Sequence, residues 1–194
     1  TQSAYMCHDN QKVKLVREIL KTKGENISHV LIFASSIKSV KEIKKTLNNA
    51  GMKASEMHSG LDQNQREETI RNFKSRKIRI LVATDIAARG IDIIRVSHVI
   101  NYDMPSTADA YTHRIGRTGR AERSGDAFTF VTTEDSGMIR IVERLLGEPL
   151  KRVRPEGFDY NTSPPKGQAE FDRGSRHQGQ KANSSKSTQR RSRS

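Results

Sequence analysis

The sequence is short of cysteine, of long apolar runs and of apolar residues at its start. Cys7 is the only cysteine among 194 residues, which excludes an internal disulfide and a zinc site built from several cysteines. The longest apolar run, 30–34, falls far short of the roughly 20 residues that span a bilayer and predicts a buried strand. The polar first residues predict no secretory signal. These shortages favour a protein of the reducing cytoplasm with no membrane partner.

Acidic residues are also few, at 22 against 35 Lys and Arg, so the formal net charge is +13. The pI is about 10.1. Such a surplus of positive charge favours a polyanionic partner. Nucleic acid is the first candidate, and an anionic membrane surface is the alternative. Hydrophobic residues make up only 33% of the chain, which indicates that part of it is disordered.

The composition changes at about residue 161. Residues 161–194 contain no Val, Ile, Leu or Met and are rich in Ser, Gln, Gly, Lys and Arg. Such a segment buries too little apolar surface to offset the entropy lost on ordering. Residues 162–194 carry eight Lys and Arg against two acids, a net charge of +6, which leaves +7 on residues 1–161. We therefore predict a folded domain over residues 1–160 and a disordered basic tail over residues 161–194.

Strand and helix patterns alternate along the folded part. Short β-branched runs predict strands at 29–33, 53–57, 78–83, 96–102, 127–131 and 151–154. Apolar residues at helical spacing predict helices that start near residue 13, after Ser36, at residue 62 and after Ser106 or Thr107. A last helix carries Met138, Ile141, Val142 and Leu145. This alternation predicts an α/β fold, a parallel sheet with helices on both faces.

Hydroxyl, arginine and glycine residues follow the predicted strands. In an open parallel sheet, ligands bind beyond the carboxyl ends of the strands. Ser35 and Ser36 follow one strand, residues 84–92 follow another, and residues 113–120 hold three arginines and two glycines. Arginine forks, hydroxyls and exposed glycine N–H groups bind phosphate oxygens. The sequence therefore predicts phosphate recognition at one edge of the sheet.

Five segments together resemble the motifs of DEAD-box ATP-dependent RNA helicases, in the order and spacing of that family. They are LIFASS at 31–36, QNQR at 63–66, ATDIAARGIDI at 83–93, VINYDMP at 99–105 and HRIGRTGR at 113–120. The resemblance covers residues 10–155 and implies the RecA-like C-terminal domain of such an enzyme. The bacterial RhlE-like subgroup, which has a basic tail, is expected to contain the nearest relatives.

The resemblance also implies roles for individual residues. Arg117 and Arg120 would act as arginine fingers on the γ-phosphate of ATP, and Asp92 would hydrogen-bond the ribose. Coupling between domains would involve Arg89, Asp103, His113 and Arg114. Contacts to the RNA backbone would come from Ser36, Gln63, Arg66, Thr84 and Gly90.

Two motifs of the whole enzyme are missing from this sequence. It has no Gly-Lys pair, hence no phosphate-binding loop of the form GxxxxGK[ST], and no Asp-Glu-Ala-Asp run to hold Mg²⁺. We therefore expect ATP with Mg²⁺ to be bound mainly by an N-terminal RecA-like domain of the same protein. The start at Thr1 fits a piece of a longer chain. This half is expected to close on ATP and on single-stranded or locally paired RNA, to support local unwinding, and to be inactive as an ATPase by itself.

Simpler explanations are open for several of these residues. The arginines of 113–120 could form a solvated charge cluster, and Asp92 could cap a helix or pair with Arg95. Gln63 and Arg66 could merely begin a helix, and Thr84 and Ser36 could be local caps. His58 could be a buried or turn histidine without a chemical role. At the level of function, the alternatives are an RNA-binding or regulatory module that acts alone, and half of a DNA helicase of the same superfamily.

Overall fold

In the computed structural model, seven parallel strands form one sheet. The structure describes residues 1–24, 27–88, 96–118, 125–155 and 158–159, so the predicted tail, residues 161–194, lies outside it. The strands within these ranges are β1 (Gln2–Met6), β2 (Val30–Phe33), β3 (Ala54–Met57), β4 (Ile80–Ala83), β5 (His98–Asn101), β6 (Asp126–Val131) and β7 (Lys151–Val153). Their order across the sheet is β3-β4-β2-β5-β6-β1-β7, and these pairings are parallel. The predicted parallel α/β sheet is confirmed.

Helices cover both faces of the sheet. They are α1 (Lys12–Lys23), α2 (Ile37–Asn49), α3 (Gln63–Lys74), α4 (Asp85–Ala88), α5 (Ala108–Ile115) and α6 (Ser136–Leu146). Successive side chains of β2 point to opposite faces. Val30 and Ile32 therefore join an apolar cluster with α1 and α2, while Leu31 and Phe33 join a second cluster with α3. A third cluster lies between α5, α6 and the strands β1 and β6.

The helices begin where the sequence places capping side chains. The Ser36 hydroxyl accepts a hydrogen bond from the backbone amide of Ser39 at 3.1 Å, and Thr107 caps α5 in the same way. At α3, Asp62 accepts from the amide of Gln65 at 2.8 Å, and the Gln65 side chain accepts in return from the Asp62 amide. Each cap satisfies an N–H group that has no partner within the helix and stabilises the helix by about 1 kcal/mol.

Only some of the apolar residues that the sequence places on α6 are buried, and Ile139, which was not among those named, is buried as well. Ile139 and Val142 are buried, whereas Ile141 is 46% exposed and Leu145 is 55% exposed. The helix has apolar residues on more than one side, so its pattern is compatible with two neighbouring faces. Packing against Tyr111 of α5 and against β1 and β6 selects the face with Ile139.

The first strand was not among the predicted elements. β1 inserts between β6 and β7, with Ser3 opposite Phe128 on one side and opposite Lys151 on the other. Its sequence is short and half polar, although Ser3, Ala4 and Tyr5 are all buried. Tertiary pairing on both sides, rather than local preference, therefore makes this segment a strand.

Candidate functional site

Three neighbouring strands, β2, β4 and β5, end side by side at what we call the strand-end edge. Phe33 pairs with Ala83 on one side and with Asn101 on the other, so the chain leaves all three strands at the same level. Ser35 follows β2, Thr84 and Asp85 follow β4, and Asp103 follows β5; this sheet therefore brings hydroxyl and charged groups from three motifs together.

Arg114, in α5, is buried at this edge with only 3% exposure. Its Nε and Nη2 atoms donate to the two carboxylate oxygens of Asp85 at 2.7 and 2.6 Å, a bidentate ion pair. Its Nη1 atom donates to the Asn101 side chain at 3.2 Å and to the backbone carbonyl of Asp103 at 2.8 Å. The guanidinium also lies 5.0 Å from the centre of the Phe33 ring. Arg114 therefore ties α5 to the ends of all three strands.

Asp103 is the second junction of the strand-end edge. One carboxylate oxygen accepts from the amide and the hydroxyl of Ser35, both at 2.8 Å, and the other accepts from the Lys12 ammonium at 3.1 Å. Burial acts to raise the pKa of Asp103, but these hydrogen bonds and the Lys12 charge outweigh burial and lower the pKa. Burial likewise acts to lower the pKa of Lys12, but its bond to Asp9 at 2.8 Å and the Asp103 charge raise it. Both groups are therefore charged at neutral pH.

This network fixes α5, and α5 in turn presents His113 and Arg117. His113 is exposed, and its Nδ1 atom lies 3.3 Å from the Asp109 carboxylate, one helical turn earlier. Arg117 is half-buried and lines a small cleft together with His113 and Ala88. The cleft holds about 20 Å³, room for a single water molecule. A ligand of nucleotide size can therefore lie across this cleft but not inside it.

The turn after α5 positions Arg117 through its backbone. A Cβ atom added to Gly116 would lie 3.1 Å from the Thr112 carbonyl oxygen, closer than side chains normally approach. The Arg117 carbonyl accepts from the Val96 amide at 3.2 Å, and Val96 also pairs with Thr118 in a parallel bridge. The glycine that the sequence places before Arg117 thus permits a tightly packed turn.

The residues predicted to contact RNA lie beside this network. Ser36 is exposed and caps α2, while Thr84 is buried and its carbonyl accepts an amide hydrogen bond of α4 at 3.0 Å. Gln63 begins α3 and donates to Glu67 at 2.8 Å. Arg66 is half-exposed, and no described residue pairs with its guanidinium. The simpler explanation, that they lie at helix starts, holds for Ser36, Thr84 and Gln63; their contact with RNA stays a prediction.

Four predicted site residues, Arg89, Gly90, Asp92 and Arg120, lie outside the described residues. Their roles stay predictions, as does the alternative in which Asp92 pairs with Arg95. Arg89, Gly90 and Asp92 follow Ala88 in the sequence, and Arg120 follows Thr118. Ala88 and Thr118 are the last described residues before them.

Asp85 and Lys12 are site residues that the sequence reasoning misses. Asp85 lies within a recognised motif, and an acid directly after a buried strand is a signal for an ion pair with the arginine-rich segment. Lys12 carries no such signal, because only the fold brings it to Asp103, 91 residues along the chain. Two ion pairs, Arg114 with Asp85 and Asp103 with Lys12, therefore hold the strand-end edge together. The sequence analysis identified only Arg114 and Asp103 among these four residues.

Among the residues that the structure describes, no group of three or more His, Cys, Asp or Glu is placed to hold a metal ion. No helix there is long and apolar enough to cross a membrane. His58 is buried, and its Nδ1 atom accepts from the Gly60 amide at 3.2 Å, which fits a turn histidine.

Comparison with known protein sequences identifies relatives. The profile of the "Helicase conserved C-terminal domain" family matches residues 11–122. The chain is 40% identical over 156 residues to DEAD-box ATP-dependent RNA helicase 21 of Oryza sativa subsp. japonica, which covers 80% of this chain and 21% of that protein. It is 38% identical over 152 residues to DEAD-box ATP-dependent RNA helicase CshA of Geobacillus kaustophilus, and the match covers 78% of this chain and 32% of that protein. The chain thus spans a third or less of the length of these two relatives.

Solved structures share the fold. The E. coli DEAD-box protein SrmB, bound to regulator of ribonuclease activity A, matches with a TM-score of 0.77 at 35% identity, over 84% of this chain and 96% of that one. S. cerevisiae Dbp5, bound to RNA and ADP BeF3, matches with a TM-score of 0.69 at 31% identity, over 78% of this chain and 41% of that one. These matches confirm the predicted RecA-like fold.

Proposed function

The chain belongs to the helicase conserved C-terminal domain family, within the DEAD-box RNA helicases, and we propose that it is the half of the ATPase site that closes over ATP and RNA. In this proposal an N-terminal RecA-like domain of the same protein holds most of the nucleotide. This chain supplies Arg117 and Arg120 to the γ-phosphate. By itself it binds ATP weakly and hydrolyses none, since its sequence has no phosphate-binding loop.

The observation that carries the proposal is the fixed position of α5 above a very small cleft. The Arg114 and Asp85 ion pair holds α5 rigidly, and Arg117 lies half-buried directly after it. A cleft of about 20 Å³ cannot enclose a nucleotide, so the cations of this edge suit a ligand presented by another domain. A cation that follows a firmly anchored helix on one side, and a nucleotide held by another domain on the other, are the parts of a two-domain site.

The chemistry requires cations that are in place before the reaction. Phosphoryl transfer spreads negative charge over the γ-phosphate oxygens, and preorganised donors stabilise that charge without reorganising. We assign Arg117 and Arg120 to this role and Asp92 to a hydrogen bond with the ribose. Mg²⁺, held mainly by the other domain, would supply further positive charge to the phosphate oxygens.

Coupling between the two domains is assigned to Arg89, Asp103, His113 and Arg114. Arg114 and Asp103 are fully engaged with neighbours inside this domain, so in our proposal they act as positioning residues for α5 and the β2 loop. His113 is exposed and can contact the facing domain directly.

RNA would be held by its sugar-phosphate backbone. We assign hydroxyl and guanidinium contacts to Ser36, Thr84 and Arg66, and we assign Gln63 and Gly90 to the same role. Contacts to phosphates and 2′-hydroxyls grip a strand without reading its bases. Closure would bend that strand so that a paired partner is lost locally, and hydrolysis would reopen the cleft. A cytoplasmic location and a place nearest the RhlE-like subgroup stay predictions.

Replacing the two arginines in a protein with both domains tests the proposal. An arginine finger contributes about 10³–10⁵ in rate. We expect Arg117→Ala or Arg120→Ala to depress RNA-stimulated kcat by that order while ATP affinity changes much less, because the other domain still binds the nucleotide. Lys at either position should rescue poorly, since an ammonium lacks the planar fork.

Arg144→Ala is the matched control, because Arg144 is an exposed arginine on α6, away from the strand-end edge. It should hydrolyse ATP at the wild-type rate. Near wild-type rates for both Arg117→Ala and Arg120→Ala would mean that these arginines are surface charge, and the proposal would fail.

A further inference from the structure

A second cavity lies at the opposite edge of the sheet, where β2, β3 and β4 begin; we call it the strand-start cavity. Its volume is about 490 Å³, within the range of roughly 300–1,000 Å³ that is typical of ligand pockets. The end of α1 and described residues that precede these three strands form its walls, with Gly24 and Gly51 among them. The full length of the strands separates it from the strand-end edge, so it is not part of the site described above.

Five cationic side chains line the strand-start cavity. They are Lys21, Lys53, Arg76, Lys77 and Arg79. Arg79 is engaged, because its guanidinium donates to the backbone carbonyls of Gly24, at 3.3 Å, and Ile27. The other four are exposed, and no described residue forms a hydrogen bond or an ion pair with their side chains. No acidic side chain from the described ranges lines the cavity.

Aliphatic side chains form the floor of the cavity. They are Leu20, Ile27, Met52 and Ile80. Three of them are buried members of the apolar cluster beneath α1 and α2, and Met52 packs against that cluster while partly exposed. Cations above an apolar floor suit a ligand that has both anionic groups and a flat apolar group.

The cations could instead serve only to stabilise helix ends. α1, α2 and α3 all end at this edge, and each helix end carries roughly half a negative charge, which attracts cations. Three such ends offset about 1.5 charges, whereas the lining side chains carry five. Lys53, Arg76 and Lys77 also lie beyond the last helical residues. Among the described lining residues, the positive charge therefore exceeds what the helix ends offset.

His29, two residues after Ile27, senses this positive charge. Burial lowers its pKa, and the charges of Arg76 and Arg79 lower the pKa further, although a hydrogen bond to the Phe73 carbonyl opposes the shift. The arginines thus create a positive potential that reaches the protein interior next to the cavity.

The polar side chains that line the cavity are ammonium and guanidinium groups, which only donate hydrogen bonds. The phosphate groups of a nucleotide carry the opposite charge and only accept hydrogen bonds, so they suit these side chains. The charge of the described lining residues therefore complements phosphate groups.

We propose that the strand-start cavity binds a nucleotide unit of single-stranded RNA, with the base on the apolar floor and the adjoining phosphates on Lys21, Lys53, Arg76 and Lys77. The proposal does not depend on the role assigned to the strand-end edge. A strand held here would also raise the effective concentration of RNA at the rest of the domain.

Methionine methyl groups give a local test. The chain has five methionines; Met52 lies in the cavity, Met104 follows Asp103 at the strand-end edge, and Met138 lies on α6. The ¹³C-methyl spectrum of the full chain is followed while a uridine decanucleotide is added. We expect a saturable shift of the Met52 signal and none for Met138. A Met52 signal that stays in place while anisotropy shows the RNA to be bound would overturn the proposal, and Met104 reports separately on the strand-end edge.

Charge reversal assigns the shift to the cavity. Lys53→Glu and Lys77→Glu should each weaken the Met52 titration by about threefold or more, as expected for losing an exposed charge pair. The matched control is Lys151→Glu, an exposed lysine on β7 at the far side of the sheet. It should leave the titration unchanged, because charges farther away than about 8 Å are screened in physiological salt. An equal effect of all three variants would overturn the proposal, and Lys53→Gln and Lys77→Gln serve if a reversed charge prevents folding.

Two other probes separate the possible sources of the ligand. Uridine monophosphate, at the same phosphate concentration, should shift Met52 much more weakly than the decanucleotide. Equal titration by the mononucleotide would mean a free nucleotide site and would overturn binding of a strand. Polyglutamate that shifts Met52 as strongly as RNA would show that the cavity recognises negative charge alone, which also contradicts the proposal.

Discussion

The Arg114 guanidinium donates four hydrogen bonds at the strand-end edge, although its side chain is buried away from solvent. A buried guanidinium is tolerated only when its donors are satisfied and its charge is paired. Asp85 supplies the countercharge, and Asn101 and the Asp103 carbonyl take the remaining bonds. The role of Arg114 is therefore to hold α5 in place, and Arg117 depends on that position.

The Arg114 and Asp85 pair should be sensitive to a change as small as Asp85→Asn. Removing one charge of a buried pair leaves the other uncompensated, which costs about 3 kcal/mol or more. We expect that loss in the free energy of unfolding, measured by urea denaturation of the chain. Asp109→Asn is the matched control, because Asp109 meets His113 at an exposed position; it should change stability by less than about 0.5 kcal/mol. Similar losses for both variants would contradict the assigned role of Arg114.

The lowered pKa of Asp103 predicts that the stability of the protein depends on pH. Its pKa in the folded protein lies below the ordinary value of 3.8. The stability that Asp103 contributes is therefore present above that value and is lost as the pH falls through the lower folded pKa. Asp103→Asn should be less stable than the wild type at pH 7, and the difference should shrink as the pH falls below 3.8 toward the lower folded pKa, measured by urea denaturation at pH 7 and at successively more acidic pH. A difference that stays constant with pH would show that the Asp103 charge is not what stabilises the edge.

At the scale of single elements, local signals predicted most of the sheet and its helices. Ser36, Asp62 and Thr107 mark helix starts by their own side chains, and β2 and β4 are continuous apolar runs. β1 and the buried face of α6 were not predictable, because the choice depends on neighbours distant in sequence. The same holds within the site, where the motif identified Arg117 but not Lys12, whose partner is set by the fold.

The two possible faces of α6 can be distinguished by a pair of identical substitutions. Ile139 is 6% exposed and Ile141 is 46% exposed on the same helix. Ile139→Ala removes buried methyl groups and leaves a cavity, so it should lower the free energy of unfolding by about 2–4 kcal/mol. Ile141→Ala should change it by no more than about 0.5 kcal/mol. Thermal denaturation of the two variants measures the difference, and the reverse order would mean that α6 packs through the side that carries Ile141.

At the scale of the whole molecule, positive charge is present at both ends of the strands and in the tail. The strand-end edge carries Arg66 and Arg117, and the strand-start cavity carries four cations without described partners. Residues 162–194 add a net charge of +6. A long polyanion could therefore be held at several places on one small domain, and the salt dependence of binding counts those places.

Removal of residues 162–194 measures the share of the tail. Its composition predicts a flexible coil, and 33 such residues would span about 30 Å. That reach would let its arginines and lysines contact RNA beside the folded domain. Each phosphate contact to a single strand adds about −0.7 to the slope of log K against log salt concentration. We expect the shortened chain to bind an oligouridylate more weakly and with a flatter slope, measured by anisotropy between 50 and 200 mM salt. A weaker but equally steep titration would mean that the tail acts without touching phosphates, and unchanged binding would mean that it only keeps the protein soluble.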